Sequence, residues 1–215
     1  MFRLGLAALF ALLTVVATFV PVPLPFVSSH VPTGDGITVL WTGPTFTLGL
    51  GIWSAQVEAM LLAPLVLGIR LGTMSQVLYV IAGLSGWPVF YQGGGTDVLS
   101  GPTVGYVLAV LPVCLVVGAL GGRKPGGWLQ HIQGAVAGAV LLHLLGFLFA
   151  VGRLGLPWWL ALSPLVLWPL QGHFLLLVPL CVVTAILAKL RPAPRENPKA
   201  GSRPSGGTEP VAIRR

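Results

Sequence analysis

Gly83-Leu-Ser-Gly-Trp-Pro-Val-Phe-Tyr-Gln-Gly-Gly-Gly-Thr-Asp-Val-Leu-Ser-Gly-Pro-Thr-Val-Gly-Tyr-Val-Leu-Ala-Val-Leu-Pro112 is the stretch on which the reading of the chain turns. One apolar run ends in it and another begins. Pro88 stops a helix and Gly86 permits the turn. Gly101-Pro102-Thr103 starts the next helix, with proline near its first turn. Between them, Phe90, Tyr91 and Gln92 bring two aromatics and an amide to the boundary. Gly93, Gly94 and Gly95 let the backbone approach a ligand closely, because no Cβ stands in the way. A polar, glycine-broken connection between two apolar helices is a candidate binding loop. Trp and Tyr also collect at membrane interfaces without binding anything, so the loop alone supports both a ligand site and an interfacial belt.

The composition around this loop says where it sits. Of the 215 residues, 55% are hydrophobic and 8% charged, and the mean hydropathy is +0.90. Soluble domains carry about 25% charged residues, so this surface needs lipid around it. Six of the twelve Lys and Arg lie in residues 191–215. The net charge of +7 therefore reflects loops and a tail facing an anionic leaflet, and no nucleic-acid partner is expected. The tail, residues 191–215, is rich in Pro, Gly and Ser and basic, which predicts a disordered cytoplasmic segment outside a transmembrane domain of residues 1–190.

A crossing needs about 20 apolar residues. The windows 3–20, 46–67, 70–85, 103–121, 131–151 and 161–190 predict an all-α, multi-pass membrane protein with six transmembrane helices. The first run ends at Pro21-Val-Pro-Leu-Pro25 and not at a small-residue cleavage site, so it reads as a retained helix. The third window is short, and prolines interrupt several others. Such helices are tolerated in lipid when neighbours satisfy the freed carbonyls, which suggests a bundle around a cavity. With the N-terminus inside, Arg3, Arg70, Arg123, Lys124 and the tail are cytoplasmic. The outer segments 21–45 and 86–102 then hold Asp35 and Asp97 without a cation, and only Arg153 runs against the pattern. That asymmetry predicts cytoplasmic N- and C-termini.

Few residues in the spans can carry chemistry. Glu58 is the single acid inside a predicted span, and intramembrane acids are costly enough to be functional candidates. Gln56 and Trp53 precede it. Gln56 and Glu58 stand two apart and so point to different helix faces. His173, in Trp168-Pro-Leu-Gln-Gly-His173, could contact a ligand amide or carboxylate, or hydrogen-bond a backbone carbonyl instead. His131 and His143 are twelve apart, about 120° around a helix, so they do not make a metal pair. Ala7 and Ala11 form a small-residue face that allows another helix to come close. Cys114 and Cys181 sit in apolar runs and read as buried small hydrophobes. The sequence has no phosphate loop, HExxH or GxSxG. It carries no recognisable ATPase, and uphill transport would need energy from elsewhere.

The chain resembles the BioY family of biotin-specific S-components of energy-coupling-factor (ECF) transporters. The residues that carry the resemblance are Arg70-Leu-Gly72, Ser75-Gln76, Tyr79, Gly86-Trp-Pro-Val-Phe90, the glycines 93–95, Gly101-Pro-Thr103 and Gly105-Tyr106. It covers roughly residues 3–190 of this chain. It implies a six-helix fold of the ECF S-component type in a bacterial plasma membrane, with a biotin pocket open to the outside. Biotin would be cargo, and no cofactor or enzymatic activity is implied. Partners would be a transmembrane coupling subunit, docked on the Ala7 and Ala11 face, and ABC-type ATPases. The expected ligand contacts are Gln56, Gln92 and His173 for the polar groups, and Trp53, Phe90, Tyr91 and Tyr106 as walls. Gly93, Gly94 and Gly95 would offer backbone N–H groups. Two departures stand out. Many family members carry a Pro-Gly-Asp-x-x-Lys-like segment where this chain has Gln171-Gly172-His173, and family members have an apolar residue where it has Glu58. An S-component for another vitamin, or a membrane enzyme using Glu58 and a histidine, are the alternative readings.

Overall fold

The computed structural model describes residues 2–29, 36–90, 93–101, 103–121 and 128–188. The expected tail, 191–215, and Tyr91 and Gln92 lie outside the described residues. The elements in chain order are α1 (Phe2–Thr18), β1 (Pro21–Ser28), β2 (Ile37–Thr42), β3 (Thr47–Ser54), α2 (Gln56–Leu84), a 3-10 turn (Thr96–Ser100), α3 (Val104–Leu120), α4 (Trp128–Leu154), α5 (Trp158–Leu162), a π turn (Ser163–Leu167) and α6 (Trp168–Ala188). The fold is mostly helical and this is a membrane protein. Three helical runs among the described residues are long and apolar enough to cross a bilayer: Gln56–Leu84, Trp128–Leu154 and Trp158–Leu187. Helices α1 and α3 are apolar but shorter, at 17 residues each.

The expectation of an all-α chain needs correction, because residues 46–67 are not one helix. Residues 47–54 form β3, the middle strand of an antiparallel sheet ordered β1-β3-β2. An apolar run by itself does not separate a buried strand from a helix. Here Leu48-Gly49-Leu50-Gly51-Ile52 alternates with period two, and glycine weakens a helix. The partner strand β1 carries Pro21, Pro23 and Pro25 on every second residue, so its missing N–H groups fall on one side. That pattern suits an edge strand, and β1 is at the edge. Its outer backbone is met by a side chain: the Val27 N–H donates to Gln171 Oε1 at 2.7 Å, and Gln171 Nε2 donates to the Val27 carbonyl at 3.1 Å. Phe26 of β1 stacks on Trp168 of α6 at 5.3 Å between ring centroids. The sheet is therefore tied to the start of α6.

Helix α2 doubles back on itself. Gly68 breaks it with φ 78°, a backbone conformation that glycine adopts at no steric cost. A straight helix would hold residues 56 and 79 about 34 Å apart, yet Gln56 Nε2 donates to the Tyr79 hydroxyl at 2.9 Å. The two arms pack so closely that a Cβ on Gly72 would sit 2.3 Å from the Pro64 Cα. The run counted by length as one crossing is thus a hairpin. Its arms rise about 18 and 24 Å, each less than a hydrocarbon core of about 30 Å.

Helix α1 lies along this hairpin. Its buried residues Ala7, Phe10, Ala11, Thr14, Ala17 and Thr18 recur at helical spacing. Gln76, fully buried, donates to Thr14 Oγ1 at 3.0 Å across that contact. The main apolar core joins Leu61 and Leu65 of α2 to Val113, Cys114 and Val117 of α3, Ala135 and Ala139 of α4, and Leu177 and Cys181 of α6. Large apolar side chains such as Leu9, Leu12, Val140, Leu144, Val178 and Val182 point outward, as a lipid-facing surface requires.

Candidate functional site

The elements leave a cavity of about 310 Å³ between them, at the small end of the range for pockets that enclose a whole small ligand. Each wall follows from the local fold. The last residues of β3, Ile52, Trp53 and Ser54, roof it; Gln56, Val57 and Met60 enter from the first turns of α2. Thr103, Tyr106, Val107 and Val110 come from the start of α3, and Leu142 and His143 from the middle of α4. Pro164, Leu165, Pro169 and His173 come from the π turn and α6, and Phe90 from the connection after α2. The wall is mainly apolar with a few convergent polar groups, which is how small-molecule sites are built. A larger depression of about 600 Å³ lies on α4 alone, from Ile132 to Leu144, but its lining is apolar except for Gln133.

The polar groups are held in set directions. Gln56 gives its amide N–H to Tyr79, which leaves its carbonyl oxygen for the cavity. Tyr106 donates its hydroxyl to the Leu165 carbonyl at 2.6 Å, a carbonyl beside the prolines that interrupt the last run. Gly146 makes room for the Tyr106 ring, because a Cβ there would lie 2.6 Å from it. His143 Nδ1 donates to the Ala139 carbonyl at 2.8 Å. His173 Nδ1 lies 2.6 Å from Glu58 Oε1. In both histidines Nδ1 is committed, so Nε2 is the nitrogen left for a ligand. The two imidazoles stand 5.4 Å apart, and Tyr106 meets His143 edge-on at 5.8 Å. Glu58 sits in the first turn of α2 and not in mid-span, because β3 takes the residues before it. It does not line the cavity but backs His173.

Of the residues singled out from sequence, Trp53, Gln56, Phe90, Tyr106 and His173 come together around this cavity. Gly93, Gly94 and Gly95 lie outside its lining and shape the turn that presents Phe90. Gly93 and Gly95 have φ of 108° and 89°. The Gly93 N–H donates to the Phe90 carbonyl at 2.9 Å and the Gly95 N–H to the Gly83 carbonyl at 2.7 Å. A Cβ on Gly94 would meet the Trp87 carbonyl oxygen at 1.9 Å. Ala7 is fully buried and Ala11 is 8% exposed, so that stripe is already covered by this chain's own packing. Sequence reasoning missed His143 and Thr103. Spacing along α4 tests His143 only as a metal partner of His131. No group of three metal-ligating side chains occurs among the described residues.

Comparison with known proteins points in one direction. The model of the BioY family matches residues 2–193. A probable biotin transporter BioY of Lysinibacillus sphaericus is 33% identical over 141 residues, 65% of this chain and 60% of the relative. A biotin transporter BioY of Thermotoga maritima is 35% identical over 100 residues, 46% of this chain and 59% of the relative. The matched stretches thus span about three fifths of the length of these curated relatives. Among solved structures, the S-component for biotin from an ECF-type ABC transporter superposes with a TM-score of 0.59 at 19% identity, covering 87% of each chain. That likeness is one of fold.

Proposed function

The chain belongs to the BioY family, and from that premise we propose that it binds biotin in the cavity beneath the sheet and serves as the substrate-binding subunit for biotin uptake. The observation that carries the proposal is the shape and chemistry of one cavity: apolar and aromatic walls from Trp53, Phe90 and Tyr106 around a sparse polar set of Gln56, His143 and His173. Biotin is a flat ureido ring fused to an apolar thioether ring, with a carboxylate on a tail. Such a ligand needs that mixture of greasy wall and few fixed donors and acceptors. Tyr91 and Gln92 belong to the same proposal by their place beside Phe90. Gly93, Gly94 and Gly95 support it by fixing the turn that presents the ring of Phe90.

Residues 1–190 act as one membrane domain. Counting the arms of α2 separately and α5 together with α6, six helical bodies among the described residues would make up the bundle, with β3 extending the first arm. The termini are cytoplasmic, as the placing of the cations favours. The chain performs no chemistry on its ligand. Energy comes from an ECF coupling subunit and its ATPases, since the sequence has no phosphate-binding loop of its own. With Ala7 and Ala11 packed inward, a coupling subunit would meet the outward residues of α1, such as Leu9, Leu12 and Val16.

The test is retention of radiolabelled biotin by the purified chain in detergent, with pantothenate, riboflavin and thiamine as competitors. Retention displaced only by unlabelled biotin is expected. A response to another vitamin alone would move the proposal to that vitamin, and a chemically altered product would revive the enzyme reading.

A further inference from the structure

A ligand carboxylate entering this cavity meets no fixed positive charge. Among the described lining residues there is no Lys, Arg, Asp or Glu. Moving an uncompensated anion out of water into such a place is expensive. The groups that can respond are few. On α6 His173 faces the cavity, and on α2 Glu58 stands behind it at 2.6 Å. On α4 His143 faces the cavity beside His173. On α3 and on the second arm of α2 the ionisable neighbours are the phenols Tyr106 and Tyr79, already hydrogen-bonded to the Leu165 carbonyl and to Gln56. Among the described residues, no charged side chain enters from β3 or from the connection at Phe90. Glu58 Oε1 and His173 Nδ1 are within hydrogen-bond reach of one another. The other carboxylate oxygen, Glu58 Oε2, is buried with no hydrogen-bond partner among the described residues. The carboxylate's one bond among them is to an imidazole that lines the cavity, which fits a group whose work is to orient that ring and stabilise its charged form.

We propose that the His143–His173 pole receives the ligand's carboxylate and that the countercharge arrives as one proton taken up with it, Glu58 acting as the positioning residue for His173. The inference rests on the biotin reading and assigns one end of that ligand. Biotin enters as an anion and a proton joins an imidazole at the pole, so the two together add no net charge to the cavity. Nε2 of each ring, its Nδ1 already committed, faces the carboxylate. Because protons are bound with the ligand, affinity weakens as pH rises, by about tenfold per unit for one proton. The fall ceases at low pH, where the free cavity already holds that proton.

The experiment is calorimetric titration of the purified full chain in two buffers of different ionisation enthalpy, with biotin and with neutral biotin amide. About one proton taken up per biotin, none per amide, and a pH-dependent affinity for biotin beside a flat one for the amide are expected. Biotin bound without proton uptake overturns the inference and leaves the biotin reading standing. Failure of both ligands to bind removes the reading itself. The variant His143→Gln/His173→Gln should lose at least about tenfold more affinity for biotin than for the amide, and equal losses would overturn the assignment. Glu58→Gln keeps a hydrogen-bond partner for Nδ1 but removes the charge that stabilises the imidazolium. It should move the fall in biotin affinity to lower pH, with the amide profile still flat. An unmoved biotin profile would strip Glu58 of its positioning role.

Discussion

Two regions bury polar side chains among apolar helices, and they are built in opposite ways. Between α1 and the second arm of α2, Thr14, Ser75 and Gln76 are fully enclosed. Their hydrogen bonds stay inside the contact: Gln76 Nε2 donates to Thr14 at 3.0 Å, and Ser75 Oγ to the Gly72 carbonyl at 2.8 Å, while Gln76 Oε1 is enclosed with no partner among the described residues. Small residues, Ala7, Ala11 and Gly72, close the space around them. Around the cavity, Gln56, His143 and His173 each use one polar atom on the protein and turn the rest toward open volume. The first arrangement cements helices in lipid. The second holds donors and acceptors in position for a ligand. Residue type does not separate them, since each has a glutamine; what differs is whether the fold fills the space next to it.

The largest effect should come from reopening the packed region. Gly72→Val places a side chain against the Pro64 backbone, at a site where even a Cβ would lie 2.3 Å away. Neither arm of the hairpin can yield cheaply, so a loss of roughly 3 kcal/mol or more is expected. Little monodisperse protein should survive size-exclusion chromatography in detergent. A well-folded Gly72→Val protein would mean that the α2 arms are not packed as described. Next comes Gln76→Ala, which removes the bond to Thr14 and should cost about 1–3 kcal/mol of stability. It should lower the thermal midpoint while leaving the biotin affinity of the folded fraction in place. Gln56→Ala should show the reverse balance: roughly tenfold weaker biotin binding, about 1.4 kcal/mol, with a smaller shift in thermal midpoint. If both glutamine variants changed binding and stability in the same proportion, the distinction between the regions would fail.

The sequence made the packed region easier to read than the cavity. Apolar runs marked α1, α3 and α4 to within a few residues and took α6 together with the turn before it, because lipid imposes one requirement along the whole length of a helix. They failed at 46–67, where Leu48-Gly49-Leu50-Gly51 is as hydrophobic as a span but alternates like a strand. The prolines at 21, 23 and 25 carried the missing signal, read there only as the end of a helix. Trp53, Gln56, Phe90, Tyr106 and His173 were each legible as unusual residues near a helix end. Their meeting was not, because the Glu58–His173 contact joins positions 115 residues apart and nothing local records it. His143 was passed over for a similar reason: spacing along one helix tests for a metal pair, whereas its neighbours here are Tyr106 and His173 on other helices.

The finest distinction concerns the roof. Trp53 and its neighbours cover the cavity only while the sheet stays on α6, where Phe26 stacks on Trp168 and one polar side chain adds a fastening of its own. Gln171 accepts from the Val27 N–H and donates to the Val27 carbonyl, as a neighbouring strand would. Both bonds are exposed, so water can replace them and their net worth is small, about 0.5–1.5 kcal/mol each. Gln171→Ala should therefore leave the helices intact and scarcely move the thermal midpoint. It should let the sheet lift more often, so biotin should dissociate a few-fold faster, by roughly the factor that 1 kcal/mol allows, with a smaller change in association. Gln171→Glu is the sharper control, because a carboxylate can still accept from the Val27 N–H but cannot donate to its carbonyl. It should fall between the parent and the alanine variant. If all three release biotin at one rate, the sheet is a bystander, and the cavity opens between helices instead.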